Sequence, residues 1–214
     1  MITVYSYTIY HSPNAYIGSV LAARAFANNP QIELIRRPLM IPKSRGLLVA
    51  DLVGSHESPV QSDYHREDCE RWAHEHDIEL TYPPAGTLRR WSNKWRWDRE
   101  ELPARAYYAT LGSGRETDFD NALFKAAWVI GMDVNLPATI EWAATEARLD
   151  GAEILAHAGS DEAARQAAHA LEEFDSLKCP GVPTFVVNGQ RFFGKDRVDW
   201  LAQHCDKLLR EASA

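Results

Sequence analysis

The sequence predicts an α/β protein in which a mixed sheet is split by one large helical insertion. Three observations predict it. The amino-terminal stretch reads as strand, helix and strand; strand signals then largely vanish over 38–177; and they return as a pair around Asn188-Gly189. At 214 residues the chain suits one large core, or one domain with a sizeable insert, rather than a tandem array.

Residues 2–10 are rich in β-branched and aromatic types with apolar character on both faces, as a strand covered on both sides requires. The strand ends at His11-Ser12-Pro13-Asn14. Ile17, Val20, Leu21 and Ala25 then recur at helical spacing up to about Phe26, and Asn28-Asn29-Pro30 stops the helix. A second strand over 32–36 completes a β-α-β unit, whose crossover is right-handed and whose strands pair in parallel. Helical periodicity marks 64–76, 121–130, 138–149 and 160–174. Ser160 before Asp161 and Glu162 reads as an N-cap with acids at the positive end of the macrodipole, and Asp150-Gly151 as a break.

Beyond the insertion, Pro183-Thr184-Phe185-Val186-Val187 and Arg191-Phe192-Phe193 flank Asn188-Gly189, a dipeptide that tolerates positive φ and favours a tight antiparallel hairpin. Gly194-Lys195-Asp196-Arg197 leads into Val198, Leu201, Ala202, Leu208 and Leu209, an amphipathic helix with Asp196 as its expected cap. The order β-α-β, helical insertion, β-β-α matches the thioredoxin-like architecture. Residues 1–37 and 178–214 are expected to form the thioredoxin-like domain, with 38–177 as the inserted helical domain.

Composition narrows the function. The chain is 45% hydrophobic and 25% charged with a net charge of -7, which gives no general attraction to phosphate backbones or anionic lipid. Neither nucleic acid nor a membrane is an expected partner. No stretch approaches the eighteen or so apolar residues of a membrane span, the amino terminus has no basic leader pattern, and a cytoplasmic location is the expectation. Cys69, Cys179 and Cys205 form neither a CxxC pair nor a zinc knuckle, so each reads as a small buried hydrophobe. There is no HExxH, and the imidazoles of His74 and His76 project about 200° apart on a helix, so no metal site is expected.

Four places carry candidate chemistry. Ser12 stands where a central parallel strand turns into a helix, at the sheet edge where ligands collect; a hydroxyl at a helix N-terminus suits an anion such as a thiolate. Ser-Pro is equally a plain N-cap and first helical position. In Gly181-Val182-Pro183 a cis X-Pro bond would turn the Val182 backbone outward, to pair with a peptide-like ligand as an added strand does; a trans proline opening an edge strand is the alternative. Lys195 and Asp196 suit a zwitterionic γ-glutamyl group, or simple capping. Trp91 and Trp95 share a helical face among basic residues, which fits either a pocket for an aromatic carboxylate or a packing seam.

Taken together, several blocks resemble the 2-hydroxychromene-2-carboxylate isomerase family, itself similar to kappa-class glutathione transferases and more distantly to the disulfide oxidase DsbA. They are Ser12-Pro13-Asn14-Ala15-Tyr16-Ile17, Arg37-Pro38-Leu39, Asp68 with Arg71-Trp72-Ala73, Ala127-Trp128, and the stretch 181–200 with Gly194-Lys195-Asp196-Arg197. The resemblance implies glutathione as cofactor, with Ser12 on its sulfur, Val182 and cis-Pro183 on its backbone, and Lys195 and Asp196 at its γ-glutamyl end. It further implies a small aromatic carboxylate as substrate, in a pocket drawn from Asn14, Tyr16, Trp91 and Trp95, and a homodimer as the common assembly of relatives. The implied activity is isomerisation of unsaturated aromatic 2-oxo acids by reversible thiolate addition. The alternatives are a kappa-like transferase or peroxidase, or a thioredoxin-like protein without glutathione activity. The chain departs from the family at Lys195, where a small polar residue is frequent, and near Ser55, where an asparagine followed by a lysine is common.

Overall fold

The structure is a computed structural model that describes residues 1–42, 59–82 and 101–212, with the backbone alone over 59–63. Its four strands are β1 (Ile2–Thr8), β2 (Ile32–Pro38), β3 (Thr184–Val187) and β4 (Gln190–Phe193), in the order β2-β1-β3-β4. β1 pairs with β2 in parallel, from Ile2 opposite Ile32 to Thr8 opposite Pro38. β3 lies antiparallel to both β1 and β4. The expected hairpin turns at Asn188 (φ 47°) and Gly189 (φ 75°), two successive positive values that suit this dipeptide.

The described helices are α1 (Pro13–Phe26), α2 (Pro59–Glu75), α3 (Glu101–Ala109), α4 (Glu116–Lys125), α5 (Pro137–Glu146), α6 (Gly151–Ala158), α7 (Asp161–Ser176) and α8 (Val198–Ala212). Local chemistry starts several of them. The Ser160 side chain accepts from the Ala163 N–H to cap α7, and Asp150 accepts from the N–H groups of Ala152 and Glu153 to cap α6. What reads in the sequence as a break at Asp150-Gly151 therefore also opens a further short helix.

Residue alternation along the strands sends side chains to two cores. On one face Val4, Phe185, Val187 and Phe192 meet Ala22 and Phe26 of α1 and Val198 and Leu201 of α8. On the other, Tyr7 and Val186 join a larger core containing Phe174 of α7, Phe119, Leu123 and Phe124 of α4, and Trp128. The first half of α1 also enters this larger core through Ala15, Tyr16 and Ile17.

Several boundaries differ from the sequence expectation. β1 ends at Thr8, yet Ile9 and Tyr10 stay buried, so the apolar run to residue 10 reflects core position and not ladder pairing. β2 continues to Pro38. The stretch 121–130 is not one α-helix: after Lys125 it becomes a π-helix over Ala126–Ile130, closed by Gly131 at φ 83°. This turn buries Trp128, whose indole Nε1 donates to the Tyr10 carbonyl at 2.7 Å.

Candidate functional site

The site forms where β1 gives way to α1. Ser12 is the N-cap (φ -101°, ψ 115°) and Pro13 the first helical residue. Ser12 Oγ accepts from the Ala15 N–H at 3.1 Å, and the Ser12 N–H donates to the Ile9 carbonyl at 3.2 Å. The cap uses an oxygen lone pair and leaves the hydroxyl proton for another acceptor, so capping and ligand contact are compatible at one side chain. Ser12 is half-buried between buried His11 and Pro13.

Pro183 stands against this junction. Its bond to Val182 is cis, and its carbonyl accepts from the Gly194 N–H at 2.9 Å. α1 approaches closely because residue 18 is glycine: a Cβ there would lie 2.9 Å from Pro183 Cγ and 3.5 Å from the Lys195 Cα. Val182 is half-buried, and among the described residues its N–H and C=O make no backbone hydrogen bond.

The tertiary structure gives Lys195 a partner that the sequence did not indicate. The side chain is buried; its Nζ donates to Asp68 Oδ2 on α2 at 2.5 Å and lies 5.2 Å from the Trp72 ring. This ion pair joins the turn after β4 to α2. Asp196 does not take the cap position expected of it, because residues Lys195–Arg197 form a 3-10 turn that begins the helix earlier; its carboxylate is exposed and pairs with Arg197 at 3.3 Å.

A chain of polar contacts runs outward from the first turn of α1. Cys69 Sγ donates to Asn14 Oδ1 at 3.5 Å, Asn14 Nδ2 lies 3.1 Å from His65 Nε2, and His65 Nδ1 lies 3.1 Å from the Tyr82 hydroxyl. Since the Asn14 amide nitrogen is a donor, Nε2 accepts, and the neutral ring carries its proton on Nδ1. Burial, reinforced by the Lys195 ammonium and opposed by Asp68, lowers the His65 pKa and favours that neutral form.

Tyr16, the neighbouring pocket candidate, turns away: its hydroxyl donates to the Glu79 carbonyl at 2.8 Å and its ring packs on Phe124. Trp91, Trp95 and Ser55 lie outside the described residues. His65, Asp68 and Tyr82 were not singled out as site residues from the sequence. A signal for two of them existed, since positions 65, 68, 69 and 72 share one face of α2.

No cysteine of the chain is poised as a thiolate. Burial pushes Cys69 up to about 12 and Cys205 up to about 11, and raises Cys179 as well. Among the described residues no cluster of three His, Cys, Asp or Glu side chains is placed to hold a metal ion. No described helix is long and apolar enough to cross a membrane.

The profile of the DSBA-like thioredoxin domain matches residues 3–206. The chain belongs to this family. No curated protein sequence matches it. Among solved structures this DSBA-like chain is similar to a 2-hydroxychromene-2-carboxylate isomerase, at 19% identity and a TM-score of 0.76, over 99% of this chain and 98% of the other. It is similar to a probable DsbA oxidoreductase from Streptomyces coelicolor at 17% identity and a TM-score of 0.76, over 99% and 91% of the two chains. A third likeness, at 16% identity and a TM-score of 0.67 over 97% and 99%, is to the cytosolic disulfide reductase DsbM from Pseudomonas aeruginosa, solved with GSH. At these identities the likenesses show a shared fold.

Proposed function

We propose that the chain is a glutathione-dependent isomerase acting on unsaturated aromatic 2-oxo acids. One observation carries the proposal: the strand-to-helix junction beside Pro183 holds a hydroxyl, Ser12, while the chain's own thiols are held neutral by burial. A site built to stabilise a thiolate without possessing one needs a thiol from outside. The residues fit glutathione in that role. The Ser12 hydroxyl proton is available to an anionic sulfur, the α1 N-terminus adds its positive dipole end, and the Val182 N–H and C=O, which make no backbone hydrogen bond among the described residues, would pair with a tripeptide backbone.

The magnitudes suffice. Lowering a thiol pKa from ~8.5 by about two units needs roughly 2.7 kcal/mol of differential stabilisation. A hydrogen bond to a charged acceptor contributes about 1.5–3 kcal/mol and a helix terminus up to about 2 kcal/mol. When bound, glutathione supplies a sulfur nucleophile that adds to the substrate double bond and leaves again after rotation. Ser12 holds that sulfur anionic and keeps its own proton. The likeness to the isomerase and to the reductase solved with GSH supports this assignment of cofactor and reaction class.

The test combines binding and titration. Millimolar glutathione is expected to raise the Tm, and Ser12→Ala is expected to raise the pKa of the bound thiol, followed by thiolate absorbance. Isomerisation leaves the free-thiol count constant during turnover, whereas conjugation or peroxide reduction lowers it. An absent Tm rise, or an unchanged thiolate titration in Ser12→Ala, refutes the role of Ser12.

A further inference from the structure

The Tyr82 hydroxyl ends the polar chain that begins at α1. Asn14 donates to His65 Nε2, so His65 donates from Nδ1 to the Tyr82 oxygen, each contact at 3.1 Å. The phenolic oxygen thereby acts as acceptor, which leaves its own proton for a second partner, and no described residue accepts it. The ring is fixed as well, packed on Trp128 at 5.6 Å with the Arg66 guanidinium 5.4 Å from its centroid. Both supports lead back to the same junction. Asn14 lies two residues after Ser12, and Trp128 holds the carbonyl of Tyr10, two residues before it.

Resting on the function proposed above, we infer that Tyr82 is the hydrogen-bond donor for the oxo oxygen of the 2-oxo acid, with His65 and Asn14 as positioning residues that aim it. When a nucleophile adds to the conjugated double bond, a carbon–sulfur bond forms as the π pair shifts onto the oxo oxygen. The reverse shift breaks that bond, and no electron or proton is gained or lost overall. A donor fixed on this oxygen therefore binds the ground state and binds its more negative form more strongly. Tyr82 keeps its proton throughout, and burial, which raises its pKa, supports that.

The test reads binding first, without glutathione. Wild type and Tyr82→Phe are titrated with benzylidenepyruvate by tryptophan fluorescence, with Tm checked by circular dichroism so that a folding defect is seen separately. Loss of one hydrogen bond is expected to weaken Kd about tenfold. His65→Phe, which keeps an aromatic ring but removes the N–H that donates to the Tyr82 oxygen, is expected to give a smaller loss, and His65→Asn to recover part of it. Equal affinity in wild type and Tyr82→Phe, or no binding by wild type, overturns the inference. Glutathione is measured in its own titration: if glutathione fails to bind while benzylidenepyruvate binds in a Tyr82-dependent way, the glutathione function falls and the donor role stands. With glutathione present, Tyr82→Phe is further expected to lower kcat about a hundredfold with KM changed by much less.

Discussion

Tyr10, at the end of the segment that delivers Ser12, is fixed by a buried charge pair, and that pair makes a quantitative prediction. Arg36 on β2 lies 3.3 Å from Asp120 on α4 with side chains 3% and 0% exposed, and the Tyr10 hydroxyl donates to Asp120 at 3.0 Å. Arg36→Met leaves the Asp120 carboxylate with the Tyr10 hydroxyl and no cation, and Asp120→Leu strands the guanidinium. Breaking such a pair from one side costs about 3–5 kcal/mol, and at about 2–4 °C per kcal/mol for a chain of this size the Tm falls by about 6–20 °C. Removing both charges together is a different matter. Arg36 Nη1 and Asp120 Oδ2 have no hydrogen-bond partner among the described residues, so the pair does not fully offset its own desolvation. The double variant Arg36→Met/Asp120→Leu is therefore expected within about 1 kcal/mol of wild type.

Urea unfolding measures all four proteins, with a shift in midpoint at constant m as the signature. The pH dependence carries a second signature. Burial raises the Asp120 carboxyl from its ordinary value near 3.8, against the pull of Arg36 and Tyr10. The native state then binds the extra proton, so the contribution of this group is present below 3.8 and is lost as pH rises through the folded value. Asp120→Leu removes that slope. Single variants that cost under about 1 kcal/mol, or a double variant as unstable as the sum of the singles, would refute the reasoning.

Other predictions follow from the same geometry. Lys195→Met and Asp68→Asn should each lower stability by about 2 kcal/mol, because each breaks one charged hydrogen bond between the turn after β4 and α2. If Lys195 acts only through Asp68, the glutathione-induced rise in Tm is equal in both variants; a loss confined to Lys195→Met would show direct contact with the ligand. In native protein at pH 8, iodoacetamide followed by mass spectrometry should label half-exposed Cys179 well before buried Cys69 and Cys205. Replacing all three cysteines with alanine should leave turnover largely intact, and its disappearance would restore a mechanism using the chain's own thiol.

Much of the fold is written locally. Asn188-Gly189 favours the positive φ values that close the β3–β4 hairpin, and Ser12-Pro13 and Ser160 bring the hydroxyls that cap α1 and α7. The apolar character of both faces of β1 and the amphipathic stripe of α8 specify a strand covered on both sides and a helix buried on one. The π-helix at Ala126–Ile130 was not legible in this way, because a widened turn keeps a helical pattern of apolar residues and is favoured here by what it places, the Trp128 indole on the Tyr10 carbonyl.

The site divides along the same line. Ser12 and Pro183 were visible because strand-to-helix junctions and X-Pro bonds have positional meaning in the chain itself. The partner of Lys195 was not, for Asp68 is 127 residues away in sequence, and the Arg36–Asp120 pair and the His65–Tyr82 contact likewise join different segments. Backbone preferences and caps act over a few residues, so one sequence suffices to state them. Which charge meets which depends on how α2 and α4 lie against the sheet, and only packing of the whole chain decides that.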